Sequence, residues 1–488
     1  MTGTLDFTIR NALVFDGSGG APVRSDLAVS GGRIMAVGAD LSRRSGRDID
    51  ADGLALAPGF IDVHTHDDAV LLHPGAMEAK ITQGVTSVVT GNCGTCIAPG
   101  LPEGADVVPP PIDLLGDISA FRFRTFGDYL DALVDVGPEV NVFPLVGQTM
   151  LRLRAMDDPE RPATGDEIET MRRDLSEAIA GGAAGMSTGL AYPPARYAAT
   201  EEILALARDV AAAGLLWTTH MRDERSGVVS AVAETLDIAR RSRVRTLISH
   251  HKCCSPSAFG LSRTTLAMIE DARKELAVGL DHYPYTASST VLLAAFAQDS
   301  SKVTVTWSDP HPEHEGRDIA DVAADWGISP DEALERLKPG GAIYHRMDEG
   351  DLRRIMAYPP TLIGSDGLPS DRRPHPRLWG TFPRVLGHFA RDEGVLPMET
   401  AVAKMTGQTA ALLGLEDRGL LKAGYKADLV VFDPDKVIDK ANYDDPTQPS
   451  AGIHWVWVNG VPVVENAEYL RGTPGAGALI GSCRATAG

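Results

Sequence analysis

The stretch "GFIDVHTHDD", Gly59 to Asp68, closes an apolar run with two histidines one residue apart. Side chains two positions apart on a strand share a face, so an extended chain turns His64 and His66 the same way. An H-x-H pair alone is a weak signal. Its position says more, because the C-terminal end of a buried parallel strand is where a barrel of alternating strands and helices keeps its active site.

Seven further segments of the same apolar, β-branched kind follow along the chain. They are "TSVVTGNCG" (86–94), "VNVFPLVGQ" (140–148), "GMSTGLAY" (185–192), "LLWTTHMR" (215–222), "RTLISHHK" (245–252), "AVGLDHYPY" (277–285) and "TLIGSDGLP" (361–369). Amphipathic segments of helical period lie between them, including "TEEILALARDVAAAG", "GVVSAVAETLDIARRSR" and "METAVAKMTGQTAALLGL". Thr125 and Thr164 each stand three residues before an acidic residue, the spacing of a helix-capping box. Strands alternating with helices predict a parallel sheet covered by helices, and eight strands close a TIM barrel.

The gap between strands seven and eight is too long for one crossover helix, so residues of about 286–350 read as an insertion on the catalytic face. Both ends of the chain carry short alternating strands broken by Gly, Asn and Asp turns. The fold class expected is therefore α/β: a (β/α)8 TIM-like barrel with a small β-sandwich built from both termini. The bounds expected are 1–57 and 419–488 for the sandwich and 58–418 for the barrel.

Of the 488 residues, 43% are apolar and 23% charged, and acidic residues outnumber basic ones 66 to 46 for a formal charge of −20. That balance argues against a nucleic-acid partner. No apolar run reaches the roughly 20 residues of a membrane span. The start "MTGTLDFTIR" lacks the features of a secretory signal, so a cytoplasmic location is expected. Cys93, Cys96, Cys253, Cys254 and Cys483 are too few for a disulfide framework in so long a chain. The C-x-x-C spacing of Cys93 and Cys96 lacks a thioredoxin-like context.

The address of the histidine pair recurs. Cys93 ends strand two, His220 strand five, His250 strand six and Asp366 strand eight. Each alone reads as a satisfied core residue. Together they supply imidazole, thiolate and carboxylate, the ligand types zinc accepts, from strand ends that converge. His251 and His282 are expected to face away from the lumen, and His311 and His314 to be solvated loop residues.

Over nearly its whole length the chain resembles the amidohydrolase superfamily, and within it the N-acyl-D-amino-acid deacylases. The general marks are "PGFIDVHTH" and "GYKADLVVFDPD"; the more specific are "TQGVTSVVTGNCG", "MSTGLAYPPARY", "THMRDE", "ISHHK", "DHYPYTASST" and "SDGLPSDRRPHPRLWGTFPRVLG". The resemblance implies a tight zinc on Cys93, His220 and His250 and a weaker position on His64, His66 and Asp366. It implies that Asp366 moves the proton between the attacking water and the leaving amine. Hydantoinase-like relatives use a bridging carboxylated lysine on strand four, for which "GMSTGLAY" has no counterpart.

The substrate implied is a small N-acyl-D-amino acid, its α-carboxylate held by Lys252, Tyr283 and Arg377, with Tyr192 and Ser289 on the substrate wall. Members that prefer acidic side chains resemble one another in an arginine after "YPYTASST". Here that segment offers Leu292, Leu293, Ala294, Ala295 and Phe296, so neutral, apolar D-amino acids are expected. The rival readings are another amidohydrolase activity, dihydropyrimidinase-like or isoaspartyl-dipeptidase-like or an L-specific deacylase, and an inactive scaffold, which should have lost ligands.

Overall fold

The computed structural model describes residues 5–39, 41 and 46–481; Cys483 lies outside them. The eight expected strands form one parallel sheet in chain order: β1 (Phe60–Asp62), β2 (Val85–Thr90), β3 (Asn141–Gly147), β4 (Gly185–Gly189), β5 (Leu216–His220), β6 (Arg245–Ile248), β7 (Val278–His282) and β8 (Thr361–Ile363). The ring closes through a parallel bridge between Thr65 and Gly367, beside which the Asp366 amide donates to the His64 carbonyl at 2.8 Å. Gly364 permits this approach, because a Cβ there would sit 2.5 Å from the His64 Cβ.

Inside the barrel, Ile61, Val63, Val89, Phe143, Leu145, Leu216, Leu247 and Leu362 form one apolar cluster with Leu413. The lumen is thus filled below, and polar groups are left to its C-terminal rim. The expected helices surround it. Thr125 and Thr164 make the expected capping boxes with Asp128 and Glu167, at the starts of Phe126–Val136 and Gly165–Ala180. The segment read as one helix from Met398 is two, Met398–Met405 and Gly407–Leu413, broken at Thr406. There Gly407 lies against Gly17, whose carbonyl oxygen would be 2.4 Å from an added Cβ.

Strands from both termini hydrogen-bond into one nine-stranded sheet, joined where Ala55–Pro58 pairs antiparallel with Leu429–Phe432. Alternation divides these strands cleanly. Leu56, Leu429 and Val431 enter the sheet's own core, where Phe7 stacks on Trp457 at 5.2 Å, while Ala55, Ala57, Val430 and Phe432 pack toward the barrel helices. Between β7 and β8 the insertion builds a three-stranded antiparallel sheet from Ala287–Val291, Lys302–Ser308 and Gly340–His345. Its Val291 packs with Leu114, from the long segment after β2, and with Leu368, from the segment after β8. These three segments enclose the rim of the barrel. His311 and His314 of the insertion are not simply solvated: both rings pack on Trp326 at 4.9 Å, and His314 is buried.

Candidate metal centre

The strands end earlier than their apolar runs suggest, and all the candidate ligands except His220, the last residue of β5, sit on the irregular backbone just beyond them. Cys93, His250 and Asp366 adopt left-handed backbone, with φ of 54°, 36° and 52°. Such conformations are costly for residues with a Cβ and concentrate at functional sites. Here they turn side chains of different strands to one point.

That point is Cys93. Its Sγ lies 3.3 Å from His64 Nε2, 3.3 Å from His250 Nε2 and 3.7 Å from His220 Nδ1. Asp366 Oδ1 stands 3.4 Å from His64 Nε2 and 3.2 Å from His66 Nε2, and its Oδ2 meets Arg377 Nη1 at 2.8 Å. All six expected ligands are therefore together and buried. Donor atoms from His64, Cys93, His250 and Asp366 all fall within 4.8 Å of one another. Metal–sulfur bonds of about 2.3 Å and metal–nitrogen bonds of about 2.0 Å in a tetrahedron require sulfur–nitrogen edges of about 3.6 Å. The Cys93 separations to His220 and His250, 3.7 and 3.3 Å, bracket that value, so these residues fit a tetrahedral cation.

Burial pushes the Cys93 thiol up, but His64, His250 and His220 outweigh it and hold it well below the usual range, as a thiolate. Burial acts likewise on Asp366, and Arg377, His250, His64 and His66 outweigh it, so the carboxylate stays ionised. Cys96 is the contrast: burial pushes its thiol up to about 12, and its sulfur accepts from the Gly147 amide at 3.1 Å. It is structural.

Glu224 was not singled out from the sequence, although it sits in "THMRDE" four residues beyond His220. Its Oε1 lies 3.0 Å from His250 Nδ1 and 2.7 Å from Lys252 Nζ, and its Oε2 lies 3.5 Å from His220 Nε2. It thus faces the far ring nitrogen of two of the three histidines whose near nitrogen faces Cys93, His220 and His250. A carboxylate behind a ligating imidazole fixes its tautomer and orientation. Asp281 serves His64 in the same way, with Oδ2 3.5 Å from Nδ1, and its Oδ1 accepts the His250 amide at 2.9 Å.

The expected substrate residues line or back the same pocket. Lys252, Tyr192 and Ser289 line it with His66, Cys93, His220, Glu224, His250 and Asp366. Tyr192 sets its ring edge-on to His220 at 4.8 Å. Tyr283 and Arg377 lie behind Asp366, the guanidinium 4.7 Å above the phenol ring. The Tyr283 hydroxyl and Arg377 Nε have no partner, whereas Lys252 is spent on Glu224 and on the ring and carbonyl of His250. Leu293 to Phe296 border an adjoining cleft, and Arg346, which the sequence reading passed over, lines both cleft and pocket. His251 turns outward to Thr265 Oγ1 at 2.8 Å, and His282 Nδ1 meets the His251 carbonyl at 2.9 Å.

A closed parallel barrel that gathers thiolate, imidazole and carboxylate donors at its C-terminal rim has the make-up of a metal-dependent hydrolase. The model of the Amidohydrolase family matches residues 47–269 and 303–464. The D-aminoacylase of Alcaligenes xylosoxydans xylosoxydans is 51% identical over 95% of this chain and 95% of its own. A solved D-aminoacylase with a binuclear metal centre, described as activated by one metal and attenuated by a second, superposes with a TM-score of 0.93 at 48% identity, covering 97% of this chain and 99% of that one. The N-acyl-D-glutamate deacylase of Bordetella bronchiseptica, solved with zinc and a phosphonate mimic of the tetrahedral intermediate, gives 0.94 at 44% identity, covering 98% and 100%. The chain belongs to the amidohydrolase family, and its sequence groups with the D-aminoacylases within it. Among the described residues no helix is long and apolar enough to cross a membrane.

Proposed function

We propose that this protein hydrolyses the amide bond of N-acyl-D-amino acids, releasing a carboxylate and the free D-amino acid. The observation that carries the reading is the Cys93 sulfur within 3.3–3.7 Å of three imidazoles, beside the Asp366 carboxyl group, in a chain related throughout to deacylases. Cys93, His220 and His250 would hold one tight zinc, and His64, His66 and Asp366 a weaker second position. When bound, zinc supplies Lewis acidity, making water acidic enough to lose a proton near neutral pH and polarising an amide carbonyl.

The chain's own groups do the rest. Asp366 accepts the proton of the attacking water and returns it to the leaving amine; Arg377 at 2.8 Å keeps it ionised between turnovers. The α-carboxylate is held by the Tyr283 hydroxyl and Arg377 Nε, neither of which has another hydrogen-bond partner among the described residues. Lys252 is reassigned from substrate contact to positioning, because its ammonium is committed to Glu224 and His250. Tyr192 and Ser289 form part of the wall.

The neutral, apolar side chain expected from residues 292–296 is not retained. A guanidinium from just beyond the third strand of the insertion, Arg346, reaches the same wall. The test of the activity is amine release from N-acetyl-D-methionine and N-acetyl-D-glutamate against their L enantiomers. Release from a D form alone is expected; release from L forms only, or from neither series with metal bound, would overturn it.

A further inference from the structure

Arg346 follows the third strand of the insertion, Gly340–His345, and is 4% exposed. Its Nε donates to Ser288 Oγ at 3.1 Å, and its guanidinium carbon lies 3.7 Å from the Phe296 ring centroid and 5.8 Å from that of Tyr344. Its Nη1 has no hydrogen-bond partner. Among the described residues no carboxylate lies within ion-pairing distance of it. The other buried arginines differ in this respect: Arg152 pairs with Glu202, Arg377 with Asp366 and Arg418 with Asp428.

A buried guanidinium without an anion is unfavourable, and stacking on an aromatic ring offsets only part of the cost. The free N–H is also well placed. Arg346 lines the metal pocket with Tyr192, His220, Glu224 and Ser288, and the adjoining cleft with Leu293 and Phe296. We infer that Arg346 receives a second carboxylate of the substrate, so that the preferred N-acyl-D-amino acid is dicarboxylic, carrying its extra anion on the side chain or on the acyl arm. The inference rests on the deacylase reading and adds the missing ion pair to it. The planar fork suits bidentate carboxylate binding, and the apolar floor of Leu293 and Phe296 suits the methylenes between the two acids.

The experiment compares kcat/KM for N-acetyl-D-glutamate, N-acetyl-D-aspartate, N-succinyl-D-methionine and N-acetyl-D-methionine in wild type, Arg346→Met and Arg346→Lys. Methionine matches the length of the arginine stem without its charge, and the lysine variant keeps a point charge. The expected result is a ratio of dicarboxylic substrate to N-acetyl-D-methionine above one in wild type, falling at least about 30-fold in Arg346→Met and less in Arg346→Lys. A response confined to the glutamate and aspartate substrates puts the anion on the side chain; one confined to the succinyl substrate puts it on the acyl arm. An equal fall for every substrate, as loss of an α-carboxylate or packing contact would give, overturns the inference, as does an unchanged ratio. Release from none of the D substrates by metal-loaded wild type would instead refute the deacylase reading itself.

Discussion

Glu224→Gln separates the two jobs assigned to that carboxylate. Lys252 is 3% exposed, and Glu224 is its only carboxylate partner among the described residues, at 2.7 Å. At that separation the Coulomb attraction is about 6 kcal/mol with an effective dielectric of about 20. Breaking a buried pair on one side costs roughly 3–5 kcal/mol, because the remaining charge is left unsolvated. Glutamine keeps one acceptor oxygen, so a loss of about 3 kcal/mol is expected, measured by urea unfolding of metal-free protein. Both imidazoles behind the metal site also lose their anion, so zinc affinity, read by chelator competition, should fall about 10- to 100-fold. Glu224→Gln with Lys252→Met removes both charges; stability should largely return while zinc affinity does not. Unchanged stability and affinity in the single variant would refute the role given to Glu224. Recovery of both in the double variant would show that the carboxylate serves only to pair the lysine.

Other outcomes follow from the same geometry. Gly364→Ala places a Cβ 2.5 Å from the His64 Cβ and 3.0 Å from Asp281 Oδ1, so β1 and β8 must part; a stability loss of about 1–3 kcal/mol with weakened metal binding is expected from unfolding and chelator titrations. Asp366→Asn should lower kcat about 10²- to 10⁴-fold while zinc on the cysteine site is kept, as single-turnover rates and metal analysis would report. Burial pushes His251 down to about 4. The unfolded chain therefore binds the extra proton between about pH 6.5 and 4, stability falls as pH drops through that window by roughly 3 kcal/mol, and His251→Gln should flatten that slope in urea midpoints taken across it.

The barrel was legible because burial on both faces leaves continuous β-branched runs, and the candidate ligands because each sat at or near the end of one. What the strand pattern overstated was regularity. β1 is only Phe60–Asp62, and the residues after it reach the segment after β8 through a single bridge, Thr65 to Gly367, so the left-handed turns at Cys93, His250 and Asp366 do the aiming that alternation alone would not. Glu224 was missed because a glutamate on a loop, among 66 acidic residues, carries no periodic signal; only its spacing from His220 hinted at it. Arg346 was missed because its place on the pocket wall depends on an antiparallel sheet within the insertion, whose pairing of Ala287–Val291 with Gly340–His345 spans some fifty residues. Lys252 was visible, but its commitment to Glu224 was not.

The most direct test is amine release as zinc is returned to metal-free protein, with wild type and Cys93→Ser side by side and N-acetyl-D-methionine and N-acetyl-D-glutamate as substrates. The expected result is no release without metal, a rise to a plateau near about one equivalent in wild type, and none in Cys93→Ser at the same zinc. Equal activity with and without zinc, or full restoration of Cys93→Ser by one equivalent, would contradict a zinc deacylase centred on Cys93.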